Sequence, residues 1–255
     1  MKTTNKFLIK FVLIFTLSSL VMTSCSDDDT SSAVESSVSD EEVQEILKSS
    51  LVDEGGIIAD VQTSSTSLNS DTAGKSATEE TMDLSTLNCN QSVSESFQSS
   101  DTAGNRTWSI QTNWGWTLNC DSQNNAVSYS LEGSGSLEFE GPNLSKSILR
   151  TYQFLITGLE PTSTEWVYNA NHTREGHFQS NVGNQNSMDI LLTYGSDDIV
   201  VSKSTQQILS GTFEVDFSAT LPNGNIVNRG ATIVFNGSQT ATITLDNGES
   251  FEVNW

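Results

Sequence analysis

A regular alternation of apolar and polar residues limits the fold of this chain more than any other feature of its sequence. Between residues 106 and 120, one set of alternate positions is largely apolar and the other is small or polar. Successive side chains of a β-strand point to opposite faces, so this pattern predicts a strand with one buried and one exposed face. The same alternation recurs in segments 127–139, 152–156, 188–194, 213–219, 231–235 and 241–245.

Short turn sequences separate these alternating segments. We expect turns at Asp121–Asn125, Pro222-Asn223-Gly224, Asn236-Gly237 and Asp246-Asn247-Gly248. Asn-Gly between alternating runs is a strong signal for a tight hairpin, and consecutive hairpins predict an antiparallel meander of about a dozen strands. In the first hairpin, Gly133 and Gly135 fall opposite Trp114 and Thr112 on the apolar face. We expect the Trp114 ring to cover the missing side chain.

The length of the predicted strands indicates how the sheet is arranged. Two strands of about fifteen residues exceed the usual 3–10, and long strands must coil. A sheet of so many strands must also close or fold over, and its polar outward faces do not fit a lipid-embedded barrel. Residues 86–255 are therefore predicted to form one mainly β domain, a wrapped sheet that is either barrel-like or a sandwich.

The region before this sheet has a different character. Residues 25–38 are rich in Ser and Asp, which predicts a disordered acidic tether. A short N-terminal helix is predicted over 39–56, because Ser39 and Glu42 form a capping box and Gly55-Gly56 ends the segment. Its apolar stripe consists of Val43, Ile46, Leu47 and Leu51. Residues 57–85 are Ser/Thr-rich and predict a linker with room for another short helix.

Residues 1–24 have the pattern of a secretory signal peptide. Three lysines precede an apolar run over 11–22, which is short compared with the ~20 residues of a bilayer-spanning helix. Small residues Thr23 and Ser24 then lead to Cys25. This junction resembles the lipobox of bacterial lipoproteins. The resemblance implies cleavage before Cys25 and acylation of that cysteine, with chains such as palmitate, as a membrane anchor.

The residues after Cys25 are Ser26, Asp27, Asp28 and Asp29. They resemble the short acidic export signal of Bacteroidota-type surface lipoproteins. The resemblance implies a lipid-anchored protein of the outer membrane that faces the cell exterior; the alternative is a solvated acidic spacer. The compartment outside the inner membrane is oxidising, so the two remaining cysteines, Cys89 and Cys120, are expected to form a disulfide.

The charge of the chain excludes some partners. The chain has 11 basic and 32 acidic residues and a net charge of −21; without the three lysines of the signal peptide, the mature chain would carry −24. Such a charge does not suit nucleic acid or an anionic membrane surface, both of which need cationic contacts. The carboxylates are scattered rather than set at ligand spacing, so no metal site and no cofactor are predicted.

Few residue patterns suggest chemistry. His172, Glu175 and His177 are a potential metal or acid–base cluster, but Glu175-Gly176 is expected to be a hairpin turn between them. Glu138 and Glu140 share a polar strand face. Paired carboxylates serve glycosidases, but at this spacing on a polar face a solvated edge is the favoured interpretation. The tryptophans lie on the inward face, where core packing is the favoured interpretation. Alternatively, the rings line an internal cavity for a lipid or glycan, with Trp114, Trp116 and Tyr129 as the candidate lining residues.

Taken over nearly its full length, the sequence resembles a group of Bacteroidota-type surface lipoproteins without a common catalytic motif. The similar features are the Ser-Asp tether, the helix ending at Gly55-Gly56, the two later cysteines and the closing Asn-Gly segments. We therefore expect a non-enzymatic surface module that binds an extracellular glycan, lipid or protein. The alternatives are a carrier that holds a lipid or glycan inside a barrel, and a hydrolase that uses dispersed carboxylates.

Overall fold

The computed structural model describes residues 37–69 and 84–255 of the chain. None of the helices in these ranges is long and apolar enough to cross a membrane. Several predictions lie outside the described residues: the signal peptide 1–24, the lipidated Cys25, the export signal Ser26–Asp29, nearly all of the tether 25–38, and residues 70–83 of the linker.

Two helices, a single 3₁₀ turn and ten strands make up the described part of the chain. They are α1 (Asp40–Val52), α2 (Ile57–Asn69), the turn Leu84–Thr86, β1 (Ser92–Ala103), β2 (Arg106–Cys120), β3 (Ala126–Glu140), β4 (Leu144–Thr157), β5 (Glu165–Ser180), β6 (Ser187–Ser202), β7 (Ile208–Thr220), β8 (Ile226–Gly237), β9 (Thr240–Leu245) and β10 (Ser250–Asn254).

The ten strands form one antiparallel sheet in which each strand pairs with the next along the chain, from β1 to β10. The predicted mainly β meander is confirmed, with ten strands where the sequence suggested about a dozen. Strands β1 and β10 are the two edges, and no ladder joins them within the described ranges, so the sheet is wrapped but open. Its strands reach 16 residues, long enough to coil strongly.

The predicted register of the first hairpin is confirmed. Trp114 pairs with Gly133, and Thr112 pairs with Gly135. The prediction that Trp114 covers Gly133 is wrong, because a Cβ built on Gly133 would lie 2.0 Å from Cζ of Tyr152 on the other neighbouring strand. Gly133 is therefore required by the close approach of the Tyr152 ring across the inner face.

Two of the predicted turns are wrong. The hairpin between β8 and β9 turns at Ser238-Gln239, whose φ angles are 52° and 60°, and Asn236-Gly237 belongs to the end of β8. Glu175-Gly176 lies in the middle of β5, where Gly176 pairs with Ile148 on one side and Ile190 on the other. This dipeptide pairs with β4 on one side and with β6 on the other. Such pairing involves residues distant in the chain, so the local sequence could not reveal it.

Both helices pack inside the curve of the sheet. Helix α1 begins at the predicted capping box of Ser39 and Glu42, and its predicted apolar stripe is buried. Helix α2 occupies the first part of the segment predicted as a linker. Its Ile57, Ile58 and Val61 join the same core as the inward side chains of the sheet, so the helices and the sheet fold around one hydrophobic core.

Polar contacts tie the helices to strands from several parts of the sheet. On one side, Asn247 in the β9–β10 turn donates to Asp40 at 2.9 Å, and the backbone amide of Asn186 donates to Glu42 at 2.7 Å. On the other, Ser65 of α2 shares a 2.8 Å hydrogen bond with the buried hydroxyl of Tyr168. These contacts hold each helix against the inner face of the sheet.

The predicted disulfide is present. Cys89 and Cys120 are bonded, with their α-carbons 5.5 Å apart. Cys89 precedes β1 and Cys120 ends β2, so the bond links the segment before the edge strand to its only neighbour. Cys120 is half-buried and packs against the core, as its parity on the strand predicts.

Candidate functional site

A cavity of about 870 Å³ lies between α2 and the first strands of the sheet. Helices cover the inner face of the central strands, but they leave the inner face of β1 largely open, and Phe97 there is 46% exposed. Ligand sites typically occupy ~300–1,000 Å³ and combine apolar walls with a few placed polar groups. The cavity is lined by Glu54, Gly55, Ala59, Asp60, Gln62, Thr63, Ser64, Thr66, Ser67, Glu95, Ser96, Phe97, Trp108, Ile110, Trp114, Trp116, Leu131, Arg150 and Tyr152.

The sheet supplies an aromatic wall. Phe97 on β1 stacks on Trp114 of β2, with ring centroids 6.1 Å apart and planes 19° apart. The indole Nε1 of Trp114 donates to a carboxylate oxygen of Glu95 at 3.2 Å, which fixes the ring in place. Trp108 stands farther along the same face of β2 and also lines the cavity. These aromatic rings form a half-exposed platform rather than a sealed core.

Helix α2 supplies the opposite, polar wall. Ala59, Gln62, Thr63 and Thr66 recur at the spacing of one helical face and all line the cavity. The opposite face of the same helix carries the buried Ile58, Val61 and Ser65. The helix therefore presents amide and hydroxyl groups to the cavity while its apolar side packs into the core.

The floor of the cavity contains a buried ion pair. Arg150 of β4 donates from Nη1 to both oxygens of Asp60, at 2.8 and 3.1 Å, and to the carbonyl of Gly55 at 3.1 Å. Its Nη2 donates to Thr112. Arg174 of β5 lies 3.7 Å from the same carboxylate and donates to Gly55 at 2.9 Å. All of these groups are nearly sealed from water.

Burial and charge act in opposite directions on this ion pair. Burial raises the pKa of Asp60, and the guanidiniums of Arg150 and Arg174 oppose that rise. Burial also lowers the pKa of Arg174, against the attraction of Asp60. Charges removed from water are tolerated only when they are paired and hydrogen-bonded. Asp60 is the negative charge that both arginines share, so it holds α2 to the central strands.

A third inward cation lies beside this ion pair. Lys146 of β4 is buried and donates from Nζ to the carbonyl of Ser49 at 3.1 Å and to its hydroxyl at 2.7 Å. Burial, assisted by the charge of Arg174, lowers the pKa of Lys146 to about 7. Sequence reasoning missed Lys146, Arg150 and Arg174. The available signal was that each of these residues occupies an alternate strand position whose neighbours on the same face are mostly apolar.

The predicted lining residues divide into two groups. Trp114 and Trp116 both line the cavity, and Trp116 is also buried in the core. Tyr129 stands away from it: its hydroxyl donates to the carbonyl of Leu84 at 3.1 Å, and its ring meets Trp116 edge-on at 5.9 Å. Glu95 and Phe97 were not predicted, because β1 lacks a clear apolar alternation.

The histidines of the proposed cluster lie on opposite faces of β5. His172 is buried against Phe154, Tyr152 and Phe213, and burial lowers its pKa well below the usual range. His177 is exposed. The described ranges contain no group of three or more His, Cys, Asp or Glu side chains that could hold a metal ion.

His177 takes part in a serine–histidine–aspartate arrangement on the outer face. Its Nε2 lies 3.0 Å from the hydroxyl of Ser187, and its Nδ1 lies 3.0 Å from a carboxylate oxygen of Asp189. The side chains of His177 and Asp189 are 54% and 77% exposed. Such a group needs oriented donors for a developing oxyanion in a site sheltered from water. An open strand surface gives no such shelter, so this arrangement does not define an active site.

No protein-family model, no curated protein and no solved structure matches this chain at a significant level.

Proposed function

We propose that this protein is a lipid-anchored, non-enzymatic module of the cell envelope that binds a small ligand in the cavity between α2 and strands β1–β4. The supporting observation is the cavity itself, with an aromatic wall on the sheet and a polar wall on the helix. A half-open site with fixed polar groups suits recognition of a ligand. Among the described residues, the lining holds no serine, threonine or cysteine activated by an oriented base, the arrangement that covalent hydrolysis requires.

Filling the cavity should test this function. Thr63 is exposed on α2 and lines the cavity, so Thr63→Phe would place a ring inside it without disturbing the core. Thr220→Phe makes the same change at an exposed position at the end of β7 and serves as the matched control. We expect ligand titrations followed by tryptophan fluorescence to saturate for the wild type and the control and to fail for Thr63→Phe. Equal binding by all three proteins would contradict the proposal.

A carrier is the second candidate, because the sheet lines the cavity with the apolar side chains of Phe97, Trp108, Ile110, Trp114, Trp116 and Leu131. A carrier retains its ligand through purification, whereas a reversible surface module releases it. Solvent extraction of the natively purified protein, followed by mass spectrometry, separates the two. A stoichiometric bound lipid or glycan in the extract would favour the carrier.

We also propose that the module is anchored through acyl chains on Cys25 and displayed on the cell surface. The support is the sequence alone: the basic start, the apolar run and the small residues before Cys25. Mass spectrometry should find acyl chains on a peptide that begins at Cys25, and Cys25→Ala should release the protein from membranes or stall its processing. An unmodified peptide at that position would refute the anchor.

Display on the outer face is tested separately. Replacing Asp27, Asp28 and Asp29 with alanine should keep the protein on the membrane but protect it from protease added to whole cells. Unchanged protease access would mean that these aspartates form only a spacer.

A further inference from the structure

We infer that the ligand of the cavity is an uncharged saccharide, held with a sugar face against the Phe97–Trp114 platform and its hydroxyls toward α2. The inference rests on the proposed binding function and names the chemical class that the walls accept. It is carried by three observations: the charge of the lining, the aromatic platform and the polar stripe of α2.

The charge of the lining disfavours anions. Of the residues that the structure describes, Glu54, Asp60 and Glu95 line the cavity against a single cation, Arg150. Arg150 is already engaged by Asp60, by the carbonyl of Gly55 and by Thr112. A carboxylate or phosphate on the ligand would therefore meet net negative charge, and both terminal nitrogens of Arg150 would already be bound by protein groups. Like charges brought together in a partly dehydrated site are strongly disfavoured.

The aromatic platform suits a ring with one apolar face. Phe97 and Trp114 stack nearly parallel, and Trp108 extends the same wall. Aromatic rings offer broad flat apolar surfaces with a negative face, and a pyranose presents a patch of polarised C–H groups that matches such a face. Phe97 is half-exposed, so part of this surface is available to a ligand before binding.

The polar stripe of α2 distinguishes a sugar from an acyl chain. Gln62, Thr63 and Thr66 face the cavity from the side opposite the rings. An acyl chain packed there would strip water from these groups without replacing its hydrogen bonds, which is unfavourable. A saccharide has hydroxyls on its edge and can replace that water while its face stays on the platform.

Glu95 places a carboxylate beside the aromatic platform. One carboxylate oxygen accepts from the Trp114 indole at 3.2 Å. A carboxylate has two oxygens with about four acceptor sites, so Glu95 retains the capacity to accept from sugar hydroxyls beside the ring that it positions. This residue would thus orient Trp114 and contact the ligand at the same time.

Calorimetric titrations of the folded chain with three kinds of probe test the inference. The neutral probes are hexasaccharides of glucose, mannose, galactose and xylose. The anionic probe is oligogalacturonate, and the acyl-chain probe is the uncharged alcohol decanol, below its solubility limit. We expect saturable binding of at least one neutral hexasaccharide, weaker or no binding of oligogalacturonate, and none of decanol. Thr63→Phe should abolish the neutral binding.

Substitutions of Phe97 separate stacking from simple apolar contact. Phe97→Tyr keeps the ring and should keep the affinity, whereas Phe97→Leu keeps an apolar side chain and should weaken binding by about three- to tenfold. Leu149→Ala removes an exposed apolar side chain on the outer face of β4 and should have no effect. Equal affinities for Phe97→Tyr and Phe97→Leu would overturn the proposed stacking.

The outcomes separate the two proposals. Decanol binding that Thr63→Phe blocks, without binding of any neutral hexasaccharide, would overturn the saccharide inference and leave the cavity as a ligand site. Preference for oligogalacturonate over all the neutral probes would also overturn it. Absence of binding by every probe would contradict both the saccharide inference and the proposed binding function.

Discussion

The central strand β7 and the edge strand β1 each place a phenylalanine on the inner face of the sheet, but the two rings differ in what covers them. On β7, Phe213 is fully buried within the core, whereas on β1 the side chain of Phe97 is 46% exposed. Helices α1 and α2 cover the inner face of the central strands and stop short of the β1 margin of the sheet. On both strands every second side chain points inward. The inward side chains of the central strands form a packed core, whereas those of β1 line a ligand-sized cavity.

This difference means that the covered strands contribute mainly to stability, whereas the inner face of β1 is available for ligand recognition. Covered positions gain free energy from burial and from tightly paired charges, so changes there should unfold the protein. Positions at the margin contribute little to the core and remain available to a ligand. The predictions below test this separation.

The largest effect is expected where α2 is held to the central strands. Asp60→Asn removes the charge shared by Arg150 and Arg174 and leaves two buried guanidiniums poorly compensated. We expect the free energy of unfolding to fall by about 3–5 kcal/mol, measured by urea denaturation. Asp189→Asn is the control, because Asp189 pairs with His177 in open solvent. Equal stability of the two variants would contradict a structural role for the buried pair.

The disulfide should affect the margin more than the covered strands. Cys89 and Cys120 are separated by 31 residues, and their joint replacement by serine should cost about 3–4 kcal/mol on the chain-entropy model. Hydrogen exchange should show amide protection lost first in β1 and the β1-facing part of β2. If β4–β8 lose protection to the same extent, the margin and the covered region unfold as one unit.

Stability should depend on pH through the buried Lys146. Burial lowers the folded pKa of Lys146 to about 7, whereas an unfolded lysine titrates near ~10.4. Between these values the unfolded state binds more protons, so this residue makes the free energy of unfolding rise with pH, by up to about 1.4 kcal/mol per unit.

Two separate lysine-to-methionine variants test this pH dependence. Lys146→Met removes the titrating group, so its stability advantage over the wild type should shrink between pH 7 and pH 9. Lys48→Met, at a half-exposed position on α1, is the control and should leave the slope unchanged. Parallel pH profiles for the wild type and Lys146→Met would show that Lys146 does not titrate in this window.

The smallest change in stability is expected at the margin itself. Phe97→Ala should alter the free energy of unfolding by within about 0.5 kcal/mol, as expected of a surface position. The same substitution at the buried Phe213 should cost about 3–5 kcal/mol. Both are measured by urea denaturation. A cost at Phe97 as large as that at Phe213 would mean that the margin is part of the packed core.

Much of the fold could be predicted from local pattern. Alternation predicted the inward face of β2, and the turn at Asp121–Asn125 placed Gly133 opposite Trp114. The capping box set the start of α1. The cavity could be predicted only in part: Trp114 and Trp116 were named, whereas Glu95 and Phe97 were not, because the Ser-rich β1 has no periodic apolar signal.

The sequence by itself determined the features that depend on neighbouring residues: strand faces, most hairpin turns, the first helix and the pairing of the two later cysteines. Only the tertiary structure decided which part of the inner face is covered. Asp60 and Arg150 are 90 residues apart in the chain, and their contact sets where α2 lies across the sheet. Periodicity records which way a side chain points, whereas coverage depends on how distant elements pack, so the cavity at the β1 margin emerges only in the folded molecule.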